Sequence, residues 1–359
     1  MKRIDALRDR LDTSGCDALL VTSLTNIRYL SGFTGSAGVL LIRPDRMVFA
    51  TDGRYKFQSE EELAASGVDA EIEVGPVDVQ RRALVAAATG INRLGLEATS
   101  VTWARQRTLA SEWFPNVELV PTVAVVEQLR QVKDADELAL MASAASVADE
   151  ALAHVKALLL ERPTEAEFGL ALDSEMRRLG ATGPSFETIV ASGPNGAKPH
   201  ARPSTRRIQP GELIVLDFGA LVSGYCSDMT RTVCVGQPGS STLLRMVEVV
   251  GEAQRAGVAA VRAGATGVEV DRACREVIAD AGWSDAFLHS TGHGVGLDIH
   301  EAPWVGPTSS DTLESGHVVT VEPGVYLPEH GGVRIEDTVV VTADGCYPLT
   351  HTPKDLILA

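Results

Sequence analysis

Two copies of one element order fill the C-terminal two thirds of this chain, and that repeat limits its fold more than any other feature. Thr164-Glu-Ala-Glu167 and Thr266-Gly-Val-Glu269 are both T-x-x-E capping boxes, in which the threonine and the glutamate satisfy each other's backbone N–H at a helix start. Each follows a long helical stretch, from about residue 135 and over about 241–263, and each opens a helix that stops at a glycine, Gly180 or Gly282. The caps are 102 residues apart, and so are the stops. A pair of strands then follows in each half, ELIVLDFGAL with GYCSDMTRTVCVG, and HVVTVEPGVYL with GGVRIEDTVVVT. Such a chain must fold as two similar halves, each a hairpin backed by helices.

The hairpins also repeat their acids. Asp217 and Asp228 lie in the first, Glu322 and Glu336 in the second. Asp217 in LIVLDFGAL and Glu336 in VRIEDTVVV belong to strands apolar enough to sit inside a sheet, where an ionised carboxylate is costly unless something neutralises it. Arg334, two residues before Glu336 and so on the same strand face, and Arg231 are the neighbouring bases, which leaves four acids against two arginines. Two divalent cations with a bridging hydroxide would remove the deficit. Metals about 3.5–4 Å apart would supply that hydroxide near neutral pH, so the pattern predicts hydrolysis.

Between the second helix pair and the second hairpin stands HSTGHGVGLDIHE, with His289, His293 and His300 among three glycines. Helical H-x-x-x-H ligation by His289 and His293 is disfavoured by the intervening Ser-Thr-Gly and the glycines that follow. A mostly oxygen donor set with one imidazole suits Mn²⁺, Co²⁺ or Zn²⁺, and the carboxylate excess leans toward Mn²⁺.

Residues 1–124 alternate short apolar runs (DALLVTS, NIRYLSGF, AGVLLI, RMVFATD, RLGLEA) with helical stretches from Arg54, Asp78 and Val101, the pattern of a separate α/β domain. The glycine-rich SGFTGSAG, residues 31–38, is no phosphate-binding loop, because it lacks G-x-x-x-x-G-K-[ST] and opens no helix; it reads as a tight strand connection. Residues 125–134 are expected to be a linker. They end at Asp134, whose spacing to Glu137 makes a capping box for a domain over 135–359.

Composition excludes several classes. A formal charge of −16 argues against nucleic-acid or anionic-membrane partners, which need a basic surface. No signal peptide is legible at the N-terminus, and no run approaches the roughly 18 apolar residues of a membrane span, so a cytoplasmic protein is expected. Five cysteines without C-x-x-C spacing suggest buried thiols, Cys226 beside Asp228 included.

The segments VLDFGALVSGYCSDMTRT, HSTGHGVGLDIHE, TVEPGVYL and GGVRIEDT, in this order, resemble the metal-site segments of the Xaa-Pro peptidases, the prolidase and aminopeptidase P branch of the "pita-bread" metallopeptidases. The first 124 residues are similar in size and order to the creatinase-like N-terminal domain of that branch. The resemblance implies a pita-bread α+β domain with a pseudo-twofold repeat and a curved antiparallel sheet, and a homodimer. It implies that Asp217 chelates one metal, that Asp228 and Glu336 bridge both, and that His293 and Glu322 complete the second. It assigns His200, in the loop SGPNGAKPHARPS, and His300 to the scissile carbonyl, the leaving nitrogen and proton relay. Glu322 is the implied general base.

Proline-containing di- or short peptides are the implied substrates. An Xaa-Pro bond has no N–H for a peptidase to grip, so a pocket must supply the specificity. His289, His300, Tyr326 and Arg334 are its implied lining, and Arg334 serves either a substrate carboxylate or Glu336 as counter-charge. An Xaa-Pro dipeptidase leads, with Xaa-Pro aminopeptidase on longer peptides as runner-up. The separate N-terminal domain argues against methionine aminopeptidase. The full set of five ligands argues against creatinase and against a non-catalytic binding protein on the same scaffold.

Overall fold

The computed structural model describes residues 2–355 and 357–358. The chain divides into two compact units, Met1–Arg130 and Gln131–Ala359.

In the first unit, β1 (Ala18–Val21), β2 (Val39–Ile42), β3 (Met47–Thr51), β4 (Glu71–Val74), β5 (Arg93–Glu97) and β6 (Glu118–Thr122) form one sheet in the order β4-β3-β2-β1-β5-β6. Its β1–β2 and β2–β3 pairs are antiparallel and the others parallel. The helices are α1 (Lys2–Leu11), α2 (Leu24–Ser31), α3 (Lys56–Ala65), α4 (Val77–Ala87), α5 (Trp103–Thr108) and α6 (Glu127–Gln131).

Three local expectations change here. The run NIRYLSGF is helix, not strand: Ser23 caps α2 by accepting from Asn26 N, Ile27, Leu30 and Ser31 are buried at helical spacing, and Gly32 ends it at φ +75°. β4 and β6 escaped notice because both are edge strands, half-wet in β4 and carrying Pro121 in β6. The unit boundary, between Arg130 and Gln131, falls inside the expected linker 125–134, which is packed and partly helical. Val125 and Val126 are buried, α6 follows, and Arg130 donates from Nη1 to Asn26 Oδ1 at 2.9 Å.

The second unit carries the repeat. Its helices α7 (Ala135–Val155), α8 (Glu165–Arg178), α9 (Ser241–Ala260) and α10 (Gly267–Asp280) begin where expected, and the capping boxes at Asp134, Thr164 and Thr266 are all formed. Its strands are β7 (Gly183–Pro184), β8 (Ile189–Ser192), β9 (Leu213–Phe218), β10 (Ala220–Val222), β11 (Tyr225–Cys226), β12 (Met229–Val235), β13 (Gly292–Gly294), β14 (Glu301–Val305), β15 (Val318–Val321), β16 (Gly324–Leu327), β17 (Gly331–Arg334), β18 (Asp337–Val341), β19 (Cys346–Pro348) and β20 (Ile357–Leu358). Each expected hairpin has two tiers. β9 pairs with β12 around the small β10–β11 hairpin, and β15 pairs with β18 around β16–β17.

One apolar core lies under the first half, with Phe168, Leu172 and Leu216, and another under the second, with Val250, Ile278 and Val319. The halves meet where Glu336 N donates to Thr230 O at 3.1 Å and Thr232 Oγ1 donates to Arg334 O at 2.8 Å. The sheets β20-β12-β9-β8 and β14-β13-β15-β18-β19 are antiparallel except for the parallel β12–β20 pair.

Contrary to the sequence reading, one segment, Ala135–Glu161, is long and apolar enough by length and composition to cross a membrane. It behaves as a core helix instead. Met141, Ala144, Ala145, Ala148, Ala151, Leu152 and Val155 form one buried stripe, while Asp149 accepts from the backbone N–H of His351 and Thr352.

Candidate metal centre

Strand register brings the acids together. Asp217, near the end of β9, lies directly opposite Thr230 of β12, and Asp228 enters that strand. In the other half, Glu322 follows β15 and Glu336 enters β18. Because the two halves meet at β12 and β17–β18, all four point into one space. Carboxylate oxygens of Asp217, Asp228 and Glu336 lie within 4.8 Å of one another. His293, in β13, places Nε2 3.6 Å from Asp228 Oδ2 and 3.5 Å from Glu322 Oε1.

Why His293 reaches this position is visible in its glycines. A Cβ on Gly292 would stand 2.0 Å from Thr320 O, so only glycine lets the strand approach β15 so closely. Helix α10 fixes the preceding residues. Asp271 accepts from Thr291 N and Oγ1, and Arg275 bonds Asp271 and the backbone oxygen of His289.

The electrostatics call for cations. Asp228 and Glu336 are 5% and 1% exposed. Arg334 is the base that meets the cluster, with Nη2 2.6 Å from Asp217 Oδ2; with four carboxylates ionised, three negative charges remain. Arg231, expected to share the neutralisation, does not. Strand alternation turns it to the opposite face, where it pairs with Asp337 at 2.9 Å and bonds the Glu336 carbonyl.

Burial first, and neighbouring carboxylates second, raise the pKa of Asp228 and Glu336 well above the usual carboxylate range, and burial pushes Glu322 up to about 8. Asp217 Oδ1 and Glu336 Oε1 are buried without a hydrogen-bond partner. His293 Nδ1 is 2.9 Å from Gly294 O, the geometry of an N–H donor, so Nε2 turns a lone pair toward two carboxylate oxygens. Burial holds this imidazole neutral, its pKa pushed down to about 4. A lone pair facing carboxylates, beside orphaned buried oxygens, is a donor set that fits divalent cations.

Thr230 and Thr320, which sequence reading passed over, orient the donors. Thr230 Oγ1 donates to Glu336 Oε2 at 2.7 Å, and Thr320 Oγ1 to Glu322 Oε1 at 3.4 Å. Threonines in β-strands carry no signal of their own: Thr320 stands two residues from Glu322, while only the register puts Thr230 next to Glu336.

The cluster forms the floor of a cavity of about 550 Å³ whose walls include His200, His289 and His300. His300 stacks edge-on against His293, with ring centroids 4.3 Å apart. Tyr326 lies behind the lining, its hydroxyl 2.8 Å from His289 Nε2 and accepting from Arg334 Nη1 at 2.7 Å. Burial pushes His289 down to about 4 and Tyr326 up to about 12. Arg334 is engaged throughout, donating also to Thr230 Oγ1 and Pro199 O. Cys226 packs among Met141, Val295 and Val318.

The model of metallopeptidase family M24 matches residues 139–343, and that of the creatinase/prolidase N-terminal domain matches residues 3–132. An uncharacterized peptidase of Bacillus subtilis is 44% identical over 358 residues, 99% of each chain. A solved structure of an Xaa-Pro dipeptidase from Bacillus anthracis has a TM-score of 0.94 at 41% identity, covering 100% of this chain and 99% of its own. That of an X-Pro aminopeptidase from Thermotoga maritima has a TM-score of 0.88 at 33% identity, with 97% and 99% covered. The expected architecture, a creatinase-like unit followed by a pita-bread unit, is that of these relatives.

Proposed function

This chain belongs to metallopeptidase family M24, and from that membership we propose that it hydrolyses the bond preceding proline in Xaa-Pro dipeptides, releasing proline. The observation that carries the reading is the buried acid cluster of Asp217, Asp228 and Glu336, joined by His293 and Glu322, on the floor of a cavity walled by three further histidines. Similarity to the solved dipeptidase over the whole chain supports the substrate class. Similarity to the solved aminopeptidase favours a second reading, in which the same site removes the first residue from longer peptides.

In this reading Asp217, Asp228, His293, Glu322 and Glu336 hold two divalent cations, Mn²⁺ before Zn²⁺ or Co²⁺ given the excess of carboxylates. When bound, such a pair supplies Lewis acidity toward the carbonyl and a water acidic enough to attack near neutral pH. Glu322 accepts the proton of the attacking water. His200 and His300 hold the scissile carbonyl and the leaving nitrogen, and a histidine is suited to return the proton to that nitrogen as the amide breaks. His289 presents its ring to the proline. Both its nitrogens are already bonded, to Ser290 O and Tyr326 OH, which supports an apolar contact over a polar one. Cysteines that form no disulfide among the described residues are in keeping with a cytoplasmic protein, and likeness to the Xaa-Pro peptidases suggests a homodimer.

The test is hydrolysis of Ala-Pro, Ala-Pro-Ala and Ala-Ala by protein stripped with chelator and reloaded with Mn²⁺, Co²⁺ or Zn²⁺. Metal-restored cleavage of Ala-Pro but not the tripeptide is the expected outcome. Cleavage of the tripeptide after its first alanine would favour the second reading, and no cleavage with any metal would overturn both.

A further inference from the structure

A dipeptide differs from a longer peptide in bringing a free carboxylate to within one residue of the scissile bond. That charge loses water as it enters the cavity, so a cation should receive it if dipeptides are to be preferred. Among the described residues lining the cavity, the arginines are Arg202 and Arg334. Arg334 is 3% exposed and committed, with donors on Thr230 Oγ1, Pro199 O, Tyr326 OH and Asp217 Oδ2. Turning it to a substrate would strip the counter-charge from Asp217.

Arg202 stands two residues beyond His200 on the cavity wall. Its side chain is 81% exposed, and its Nε lies 3.2 Å from Oε2 of Glu187, itself 63% exposed. We propose that Arg202 receives the free carboxylate of the dipeptide, leaving Glu187 for the substrate, and so sets the preference for dipeptides over amidated or longer peptides. This rests on the reading of the chain as an Xaa-Pro dipeptidase.

Two features support the exchange. An exposed ion pair is weak, so parting Arg202 from Glu187 costs little, while the guanidinium fork can grip the new carboxylate with two parallel hydrogen bonds. The backbone beneath is anchored. Glu165, fully buried on α8, accepts from Ser192 N and Oγ, Asn195 Nδ2, and Ser204 N and Oγ, tying down both ends of the segment that carries His200 and Arg202. The arginine therefore swings from a fixed base.

The experiment compares Ala-Pro with Ala-Pro amide, using full-length metal-loaded wild type, Arg202→Ala and Glu187→Gln. Wild type is expected to show a KM for Ala-Pro roughly tenfold below that for the amide, with the advantage shrinking as salt is added. Arg202→Ala should raise the Ala-Pro KM to about the amide's, the loss falling in KM and not in kcat. Glu187→Gln should move the Ala-Pro KM the other way. Both side chains are exposed, so neither change threatens the fold. An Ala-Pro KM untouched by Arg202→Ala, or one that rises equally for both substrates, overturns the proposal while the dipeptidase reading stands. Wild type that cleaves neither substrate overturns that reading, and the proposal with it.

Discussion

Stripped of divalent cations, the catalytic unit should lose stability as the pH rises from about 6.5 to 8. The cause lies in the acid cluster. Burial pushes Glu322 from 4.5 up to about 8, and raises Asp228 and Glu336 in the same direction. A carboxyl whose folded pKa exceeds its unfolded value keeps a proton that the unfolded chain has already released. Its stabilising effect is therefore complete below the unfolded value and lost as pH rises through the folded one, at about 1.4 kcal/mol per pH unit and per group. For Glu322 alone the loss over this window is about 2 kcal/mol, and Asp228 and Glu336 add to it.

The histidines do not mask this slope. His289 and His293 are pushed down to about 4 from 6.5, and burial lowers His300 and His317 as well, so the unfolded imidazoles shed their last protons just above 6.5 and each offsets only about 0.4 kcal/mol by pH 8, against three carboxyls. Thiols matter only near their ordinary pKa of about 8.5 and above. In a chain of this length the change corresponds to a fall in melting temperature of several degrees (about 2–4 °C per kcal/mol). The assay is thermal unfolding of chelator-treated protein at half-unit steps across the window, with and without Mn²⁺. Metal keeps the carboxylates ionised in the folded state, so the loaded protein should show a flat profile. A melting temperature that is constant or rises with pH in the stripped protein would refute the reasoning.

Asp217→Asn should reduce turnover at least roughly a hundredfold, since it removes a charged ligand; in the stripped protein it should lower the melting temperature, because buried Arg334 loses the carboxylate paired with its Nη2. Thr230→Val should cost about 1–3 kcal/mol by leaving Glu336 Oε2 and Arg334 Nε without their partner. It should also weaken metal binding roughly 10–100-fold, measurable by titration against a competing chelator. Gly257→Ala should destabilise by about 1–3 kcal/mol through overpacking, because its new Cβ would lie 2.4 Å from Cys274 Sγ and 2.7 Å from Val321 Cγ1. Denaturant unfolding reads that loss directly.

What the sequence determines by itself is local and repetitive. The three capping boxes, the glycine stops and the strand pairs are encoded within a few residues of where they act, and the structure forms each of them. Four acids at matching places in two hairpins announce a shared site for the same reason, since a buried carboxylate in an apolar strand must be answered somewhere. Edge strands and the helix at NIRYLSGF are not legible locally, because burial there is partial or the apolar spacing fits two periods.

Tertiary structure decided what answers the acids. Arg231 and Arg334 look equivalent in sequence, each within three residues of an acid, yet one faces the cluster and the other turns away to Asp337. That outcome depends on how β12 meets β17 and β18, a register that joins residues about 100 positions apart. The role of Thr230, the pairing of Arg202 with Glu187 and the clamp by Glu165 have the same origin. Each is a property of a pair of distant residues, and a side chain's partner is chosen by packing that no local pattern in the chain encodes.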